Sequence, residues 1–170
     1  DYYYVNKSSL PKVYGGFNTS LSWKGFDLSA IFAYSIGGYI YNRDVTMILH
    51  NGSLEGRDWS TEILRRWTPD NRYTDVPALS TTSNNWNSAS TRFLQNNSYM
   101  RLKNLTLSYN LPKQWISKLS LSSVQVYVQG DNLFTIHRNQ GLDPEQGITG
   151  ITYYRYPAMR TISGGINVSF

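Results

Sequence analysis

The sequence predicts an all-β fold, an antiparallel transmembrane β-barrel of outer-membrane type. Five stretches of the 170-residue chain alternate between apolar and polar residues, as strands with one apolar and one polar face do. The connections between these stretches alternate between short and long, which is typical of outer-membrane barrels. Aromatic residues make up 15% of the chain, with 14 Tyr and 5 Trp, and such side chains gather at membrane interfaces.

The last stretch, RTISGGINVSF at positions 160–170, carries the clearest alternation. Its length of about ten residues is what a tilted strand needs to cross a bilayer. One of its faces holds apolar residues and glycine: Ile162, Gly164, Ile166, Val168 and Phe170. A soluble sheet can show the same alternation, so the prediction of a barrel depends on the other strands as well.

Four further strands are predicted before the last one. The first pair is separated only by Lys24 and Gly25, and such a two-residue turn predicts a tight hairpin. Pro112 ends the third strand and begins a short connection to the fourth. The five predicted strands are residues 13–23, 26–36, 99–111, 123–134 and 160–170.

Two long polar connections, residues 37–97 and 135–157, are predicted to be extracellular loops without sheet. Within the first, residues 54–67 are predicted to form a short helix, because four apolar side chains share a face at helical spacing. These side chains are Trp59, Ile63, Leu64 and Trp67.

Five strands cannot close a barrel, since the smallest single-chain barrels have about eight and bacterial ones have an even number. Two unpaired strand edges would be left in lipid, where backbone groups find no partners. The chain is therefore expected to be part of a larger barrel whose other strands lie elsewhere.

Several classes of protein are disfavoured by composition. The formal charge of +5 comes from basic residues scattered through polar segments, so nucleic-acid binding is not predicted. The chain has no Cys, and no group of side chains has the spacing of a catalytic or metal site, so we expect neither an enzyme nor a cofactor. His50 and His137 are isolated, and Asp143 with Glu145 predicts loop anchoring rather than calcium binding.

Aromatic and basic residues are the remaining candidates. Under the predicted topology, two aromatic girdles border the lipid, with Trp23 and Tyr109 near the periplasmic ends and Tyr34 and Phe134 near the outer ends. Loop residues that could contact cargo or a lid protein are Trp86, Tyr153, Tyr154 and Arg155. Basic residues that could pair with anionic outer-leaflet lipid are Arg101, Lys103, Arg155 and Arg160.

Five stretches that include the predicted strands and their flanks have a characteristic sequence: PKVYGGF, WKGFDLSAIFAYSIGGYIY, FLQNNSYMRLKNLTLSYNLP, VYVQGDNLF with GLDPE, and YPAMRTISGGINVSF. These stretches resemble the carboxyl-terminal part of the SusC/RagA family of TonB-linked outer-membrane proteins, which are TonB-dependent transporters. The resemblance covers nearly every predicted strand, whereas the plug domain and the segment that contacts TonB have no counterpart in this chain.

The resemblance implies an active importer in the Gram-negative outer membrane, with a plugged barrel of about 22 strands. It implies a SusD-like surface lipoprotein as partner, TonB as the source of energy, and glycans or oligopeptides as cargo. Phe170 resembles the terminal aromatic residue that the barrel-assembly machinery recognises. The alternative is a soluble, aromatic-rich β-sandwich that binds carbohydrate, which would have to bury the apolar strand faces against each other.

Overall fold

A computed structural model of the chain describes residues 3–52, 54–82, 85–139, 141, 143–145, 147–152 and 154–170. The chain divides into two compact units. The strand unit comprises Pro11–Gly38, Asn97–Glu145 and Tyr156–Phe170. The loop unit comprises Asp1–Leu10, Tyr39–Asn96 and Gln146–Arg155.

The strand unit is a five-stranded antiparallel sheet in which neighbours in sequence pair with each other. The first two strands have the predicted bounds, and the other three differ from the predicted ranges by one to three residues at an end. In the order in which they pair, the strands are β1 (Val13–Trp23), β2 (Phe26–Ile36), β5 (Tyr99–Asn110), β6 (Ser123–His137) and β8 (Thr161–Ser169).

The register aligns the apolar residues of all five strands on one side of the sheet. Leu21 pairs with Leu28, Leu28 with Leu107 and Leu107 with Val128. Because residues directly opposite each other point to the same side, these pairs form one apolar face and leave Ser, Thr, Asn and Gln on a polar face. The chain's alternation thus produces a sheet with two chemically distinct faces.

The apolar face is open to the surroundings rather than covered by protein. Leu21 is 67% exposed, Ile166 64% and Val168 44%. A β-sandwich would enclose these side chains in its interior, so the exposed face argues against the sandwich alternative.

Short connections lie at one end of the sheet, which we call the turn end. Lys24 and Gly25 have φ values of 46° and 88°, as the central residues of a two-residue hairpin turn require. The connection from β5 to β6 contains the helix α2 (Lys113–Ile116), whose Ile116 is buried. The opposite end, from which residues 37–98 and 138–160 extend, is the loop end.

A β-bulge interrupts the alternation of β5 at Lys103. Leu102 pairs with Phe32 and Phe134, whereas Asn104 pairs with Ile31 and Asp131. The extra residue lets both Leu102 and Leu105 lie on the apolar face although they are three positions apart. Reading the period-two pattern alone does not reveal this shift.

The loop unit contains regular structure, so the prediction that residues 37–97 lack sheet is wrong. Its small sheet has the order β4 (Leu94–Asn96), β3 (Tyr39–Asn42) and β7 (Ile151–Thr152). The helix α1 (Arg43–Ile48) follows β3 directly, and the Asn42 side chain accepts a hydrogen bond from Val45 N at its start. Ile40, Val76 and Phe93 are buried and form a small core.

The predicted helix at residues 54–67 is also wrong in extent and in packing. Only a short 3-10 helix forms, at Thr61–Arg65, with Ser60 capping its first turn. Ile63 is buried, but Leu64 is 73% exposed and Trp59 and Trp67 also remain exposed. Trp67 N donates a hydrogen bond to Val76 O, so the chain after the 3-10 helix pairs with a later segment instead of continuing the helix. None of the described helices has the length and apolar character needed to span a membrane.

Gly165 on the polar face allows Tyr127 to lie flat across β8, and we expect Gly165→Val to destabilise the sheet. A Cβ atom at Gly165 would lie 2.7 Å from the Tyr127 hydroxyl oxygen and 2.9 Å from Cζ. The ring must move, and such overpacking costs about 1–3 kcal/mol. The measurement is the temperature at which the barrel unfolds, followed by the change in its gel mobility. A Tyr127→Thr background should remove most of the loss, and an equal loss in that background would contradict the packing argument.

Candidate functional site

The polar face carries carboxylates held by neighbouring amides and hydroxyls. Asp131 accepts a hydrogen bond from Asn104 Nδ2 at 2.7 Å. Asp27, near the turn end, accepts one from Asn110 Nδ2 at 2.7 Å. Because both carboxylates accept hydrogen bonds from side chains of adjacent strands, the polar face is an ordered hydrophilic surface.

The strongest electrostatic feature is the charge cluster, which consists of Arg101, Lys103, Asp143 and Glu145 at the loop end. Arg101 donates from Nη2 to Asp143 Oδ1 at 2.6 Å and from Nη1 to Glu145 Oε2 at 2.8 Å. Lys103 Nζ lies 2.6 Å from Glu145 Oε2. The two basic and two acidic groups cancel, so the charge cluster is formally neutral.

The buried half of the charge cluster fixes a loop to the sheet. Arg101 is 3% exposed, and its Nε donates to Thr135 Oγ1 of β6 at 2.8 Å. Asp143 accepts hydrogen bonds from Ala158 N at 2.7 Å and Glu145 N at 2.9 Å. The Asp143 carboxylate thus joins two distant parts of residues 138–160, and Arg101 ties that carboxylate to β5 and β6.

This geometry corrects one interpretation of the basic residues. Arg101 is buried and donates to carboxylates of the same chain, so the hypothesis that it pairs with outer-leaflet lipid is wrong. Lys103 pairs with Glu145 and is partly exposed, and its contact with lipid stays a prediction. Asp143 and Glu145 act as acceptors within the loop, which is the geometry of anchoring. Among the described residues, no group of three or more His, Cys, Asp or Glu side chains could hold a metal ion.

The surroundings of Asp143 act on its pKa in opposite directions. Burial alone would raise the pKa, because it disfavours the charged carboxylate. Hydrogen bonds from the Ala158 and Glu145 backbone amides and from Arg101, together with the positive charge of Arg101, outweigh burial. The pKa of Asp143 is therefore lowered from the ordinary value of 3.8.

The lowered pKa of Asp143 predicts a loop that resists mild acid. A carboxyl group with a depressed pKa in the folded state contributes its full stability above its unfolded pKa, and this is lost as the pH falls through the folded value. We expect pepsin to cut residues 138–160 of the wild type slowly down to the ordinary aspartic acid pKa and faster only below it. Asp143→Asn, digested in parallel, should be cut fast throughout. A wild type as susceptible as Asp143→Asn near that pKa would contradict the prediction.

The residues predicted to contact cargo or a lid have different surroundings. Trp86 is half-buried, and the Arg92 guanidinium lies 3.4 Å from its ring centroid. Tyr154 is 62% exposed, and its hydroxyl accepts a hydrogen bond from Arg57 Nη1 at 3.3 Å. Arg155 is exposed, and Tyr153 lies outside the described residues. Their roles in recognition stay predictions.

The residues predicted for the aromatic girdles all lie on the apolar face. Trp23 and Tyr109 are at the turn end, where Tyr109 packs on Phe26 with ring centroids 4.5 Å apart. Tyr34 lies near the loop end and covers Gly15, and Phe134 is exposed there. Phe170 is exposed after β8. The girdle and assembly roles of these residues stay predictions.

Sequence reasoning missed the structural role of His50. It is buried, and its Nδ1 accepts a hydrogen bond from Trp59 Nε1 at 3.1 Å. Trp59 is nine positions later, which matches no helical or strand spacing, so periodicity offers no signal for this contact. His137, by contrast, is exposed at the end of β6.

A sheet with one exposed apolar face, one polar face and long connections at one end is typical of the wall of an outer-membrane β-barrel. A TonB-dependent receptor of Formosa agariphila, P3, is 34% identical over 166 residues, which cover 91% of this chain and 16% of the relative. SusC of Bacteroides thetaiotaomicron is 27% identical over 168 residues, 98% of this chain and 16% of the relative. These matches and the structural ones below confirm the predicted resemblance: the chain is a fragment of a SusC/RagA-family TonB-dependent transporter.

Solved structures give the same assignment. A structure of the RagAB peptide importer in the closed-closed state matches with a TM-score of 0.86 and 36% identity over 98% of this chain and 18% of that chain. Its open-open state matches with a TM-score of 0.85 and 35% identity. No protein-family model matches. The chain spans about a sixth of the length of the curated relatives that it matches.

Proposed function

We propose that this chain forms part of the wall of an active importer in the outer membrane of a Gram-negative bacterium. The observation that carries the proposal is the exposed apolar face, which extends across all five strands and which lipid would cover. Its relatives are TonB-dependent receptors, and energy would reach the transporter through TonB and a plug domain.

The proposed orientation places the turn end in the periplasm and the loop end outside the cell. Short connections at the turn end and long ones at the loop end support it, because outer-membrane barrels sort their connections in this way. The charge cluster would then hold Asp143, Glu145 and Ala158 at the outer mouth of the barrel.

The proposed partner is a SusD-like lipoprotein at the loop end, and the proposed cargo is an oligopeptide or a glycan. The solved RagAB structures are described as a peptide importer, which makes oligopeptides the first class to test. Exposed Tyr154 and Arg155, together with Trp86 and Tyr153, are the proposed contacts with the lid or cargo.

The test uses the full-length transporter expressed in an outer membrane. We expect it to need detergent for extraction, to copurify with a lipoprotein, and to take up labelled oligopeptides or glycans only while the proton gradient is intact. A protonophore should abolish uptake without reducing the amount of assembled barrel. Recovery of the protein in the soluble fraction, or uptake that persists without the gradient, would refute the proposal.

A further inference from the structure

A cavity at the loop end, the rim cavity, has a mixed lining that the charge cluster does not explain. Its volume is about 550 Å³. The cavity lies beside the outer part of β6, beyond the last β8 pair, which joins Asp131 to Thr161. Its lining residues include Arg101, Phe134, His137, Asp143, Pro157 and Arg160.

The charges in the rim cavity do not cancel. Arg101 and Asp143 neutralise each other at 2.6 Å. Arg160 is exposed and forms no ion pair within the part of the chain that the structure describes. His137 also lines the cavity, but it alternates with Phe134 and Ile136 along β6 and therefore lies on the polar face. The cavity thus offers one uncompensated guanidinium, that of Arg160, which suits an anionic oxygen group.

The apolar flank of the rim cavity distinguishes a lipid from a soluble anion. Phe134 lies on the apolar face, and Ile136, two positions further along β6, shares that face and is 64% exposed. Met159, next to Arg160, is also exposed. A soluble phosphate gains nothing from contact with these apolar side chains. A lipid, by contrast, has its charged headgroup next to an apolar region that can pack against them.

From this arrangement we infer that the rim cavity binds the phosphate-bearing headgroup of an outer-leaflet lipid, with Arg160 as the charge partner. Phe134 and Ile136 then contact the first part of the acyl or sugar region. The inference rests on the proposed function, because it requires the apolar face to lie in a membrane.

The test places the full-length transporter in nanodiscs made from equal amounts of phosphatidylcholine and phosphatidylglycerol, and native mass spectrometry counts the lipids retained after release. We expect Arg160→Gln to reduce retained phosphatidylglycerol about fivefold, the factor that corresponds to one basic residue at a charged lipid surface. Retained phosphatidylcholine should not change. The matched control is Lys118→Gln, which removes the same charge from the turn end and should retain phosphatidylglycerol like the wild type.

Three results would overturn the inference. Arg160→Gln could retain as much phosphatidylglycerol as the wild type, or Lys118→Gln could lose as much as Arg160→Gln. In a third arm, inorganic phosphate could bind in an Arg160-dependent way while phosphatidylglycerol does not, which would make the site one for a soluble anion. Uptake of labelled cargo by cells that carry the Arg160→Gln transporter separates this failure from failure of the proposed function, because an importer without lipid selectivity still transports.

Discussion

Arg101→Met is expected to release residues 138–160 from the sheet and to destabilise the folded barrel by about 3–5 kcal/mol, the cost of breaking a buried ion pair. The substitution leaves Asp143, whose side chain is 7% exposed, without the guanidinium that neutralises it. It also removes the hydrogen bond to Thr135 Oγ1 of β6. The measurement is denaturant unfolding of the barrel, with protease sensitivity of residues 138–160 as a local reading.

A nearby charge provides the control for Arg101→Met. Lys103→Met removes a side chain that is 34% exposed and whose one ion pair among the described residues is with the partly exposed Glu145, so we expect a loss below about 1 kcal/mol. In a double variant, Arg101→Met with Asp143→Asn, part of the stability should return, because no charge is left buried alone and the amide oxygen of the new side chain can still accept a hydrogen bond from a backbone amide. If Arg101→Met and Lys103→Met had equal and small effects, the charge cluster would not be the anchor.

Ile166→Lys is expected to lower the stability of the membrane-inserted barrel by about 2–4 kcal/mol, the cost of a lysine on the lipid face near the bilayer midplane. Ile166 pairs with Val126 near the middle of β8, and its side chain is 64% exposed on the apolar face. In water, a lysine at so exposed a position would cost little. The size of the stability loss therefore shows whether lipid or water contacts the apolar face. The measurement is the refolding of the barrel into lipid vesicles at increasing urea concentration.

Asn167→Lys is the matched control for Ile166→Lys, because Asn167 is the next residue along β8 and lies on the polar face. It loses one hydrogen bond to Gln125 at 3.2 Å, so we expect a loss of about 1 kcal/mol. A larger loss for Asn167→Lys than for Ile166→Lys would mean that the polar face, and not the apolar face, meets the lipid.

The strands and their faces could be predicted because the alternation of apolar and polar residues is visible over short stretches of sequence. Apart from the bulge at Lys103 in β5, each of the five strands shows its period of two without help from the rest of the chain. The same local pattern places Leu28 and Ile166 on the apolar face. The family resemblance could be predicted for a related reason, since its motifs are also short and local.

The charge cluster and the loop unit could not be predicted in this way. Arg101 meets Asp143 across 42 positions, and nothing in the spacing of either residue indicates the other. A more useful signal was charge. Asp143 and Glu145 lie in the loop after β6, and β6 pairs with β5, which carries the oppositely charged Arg101. The helix predicted at residues 54–67 failed because apolar residues there pack through turns rather than along one helical face.

The order of strand pairing has a consequence for how the sheet assembles. The hairpin of β1 and β2 closes through two residues and then adds eleven successive pairs, from Trp23 with Phe26 to Val13 with Ile36. The pairing of β2 with β5 must instead bring together segments separated by residues 37–98, and the entropy of closing so long a loop delays it. We therefore expect the β1–β2 hairpin to form before β2 pairs with β5.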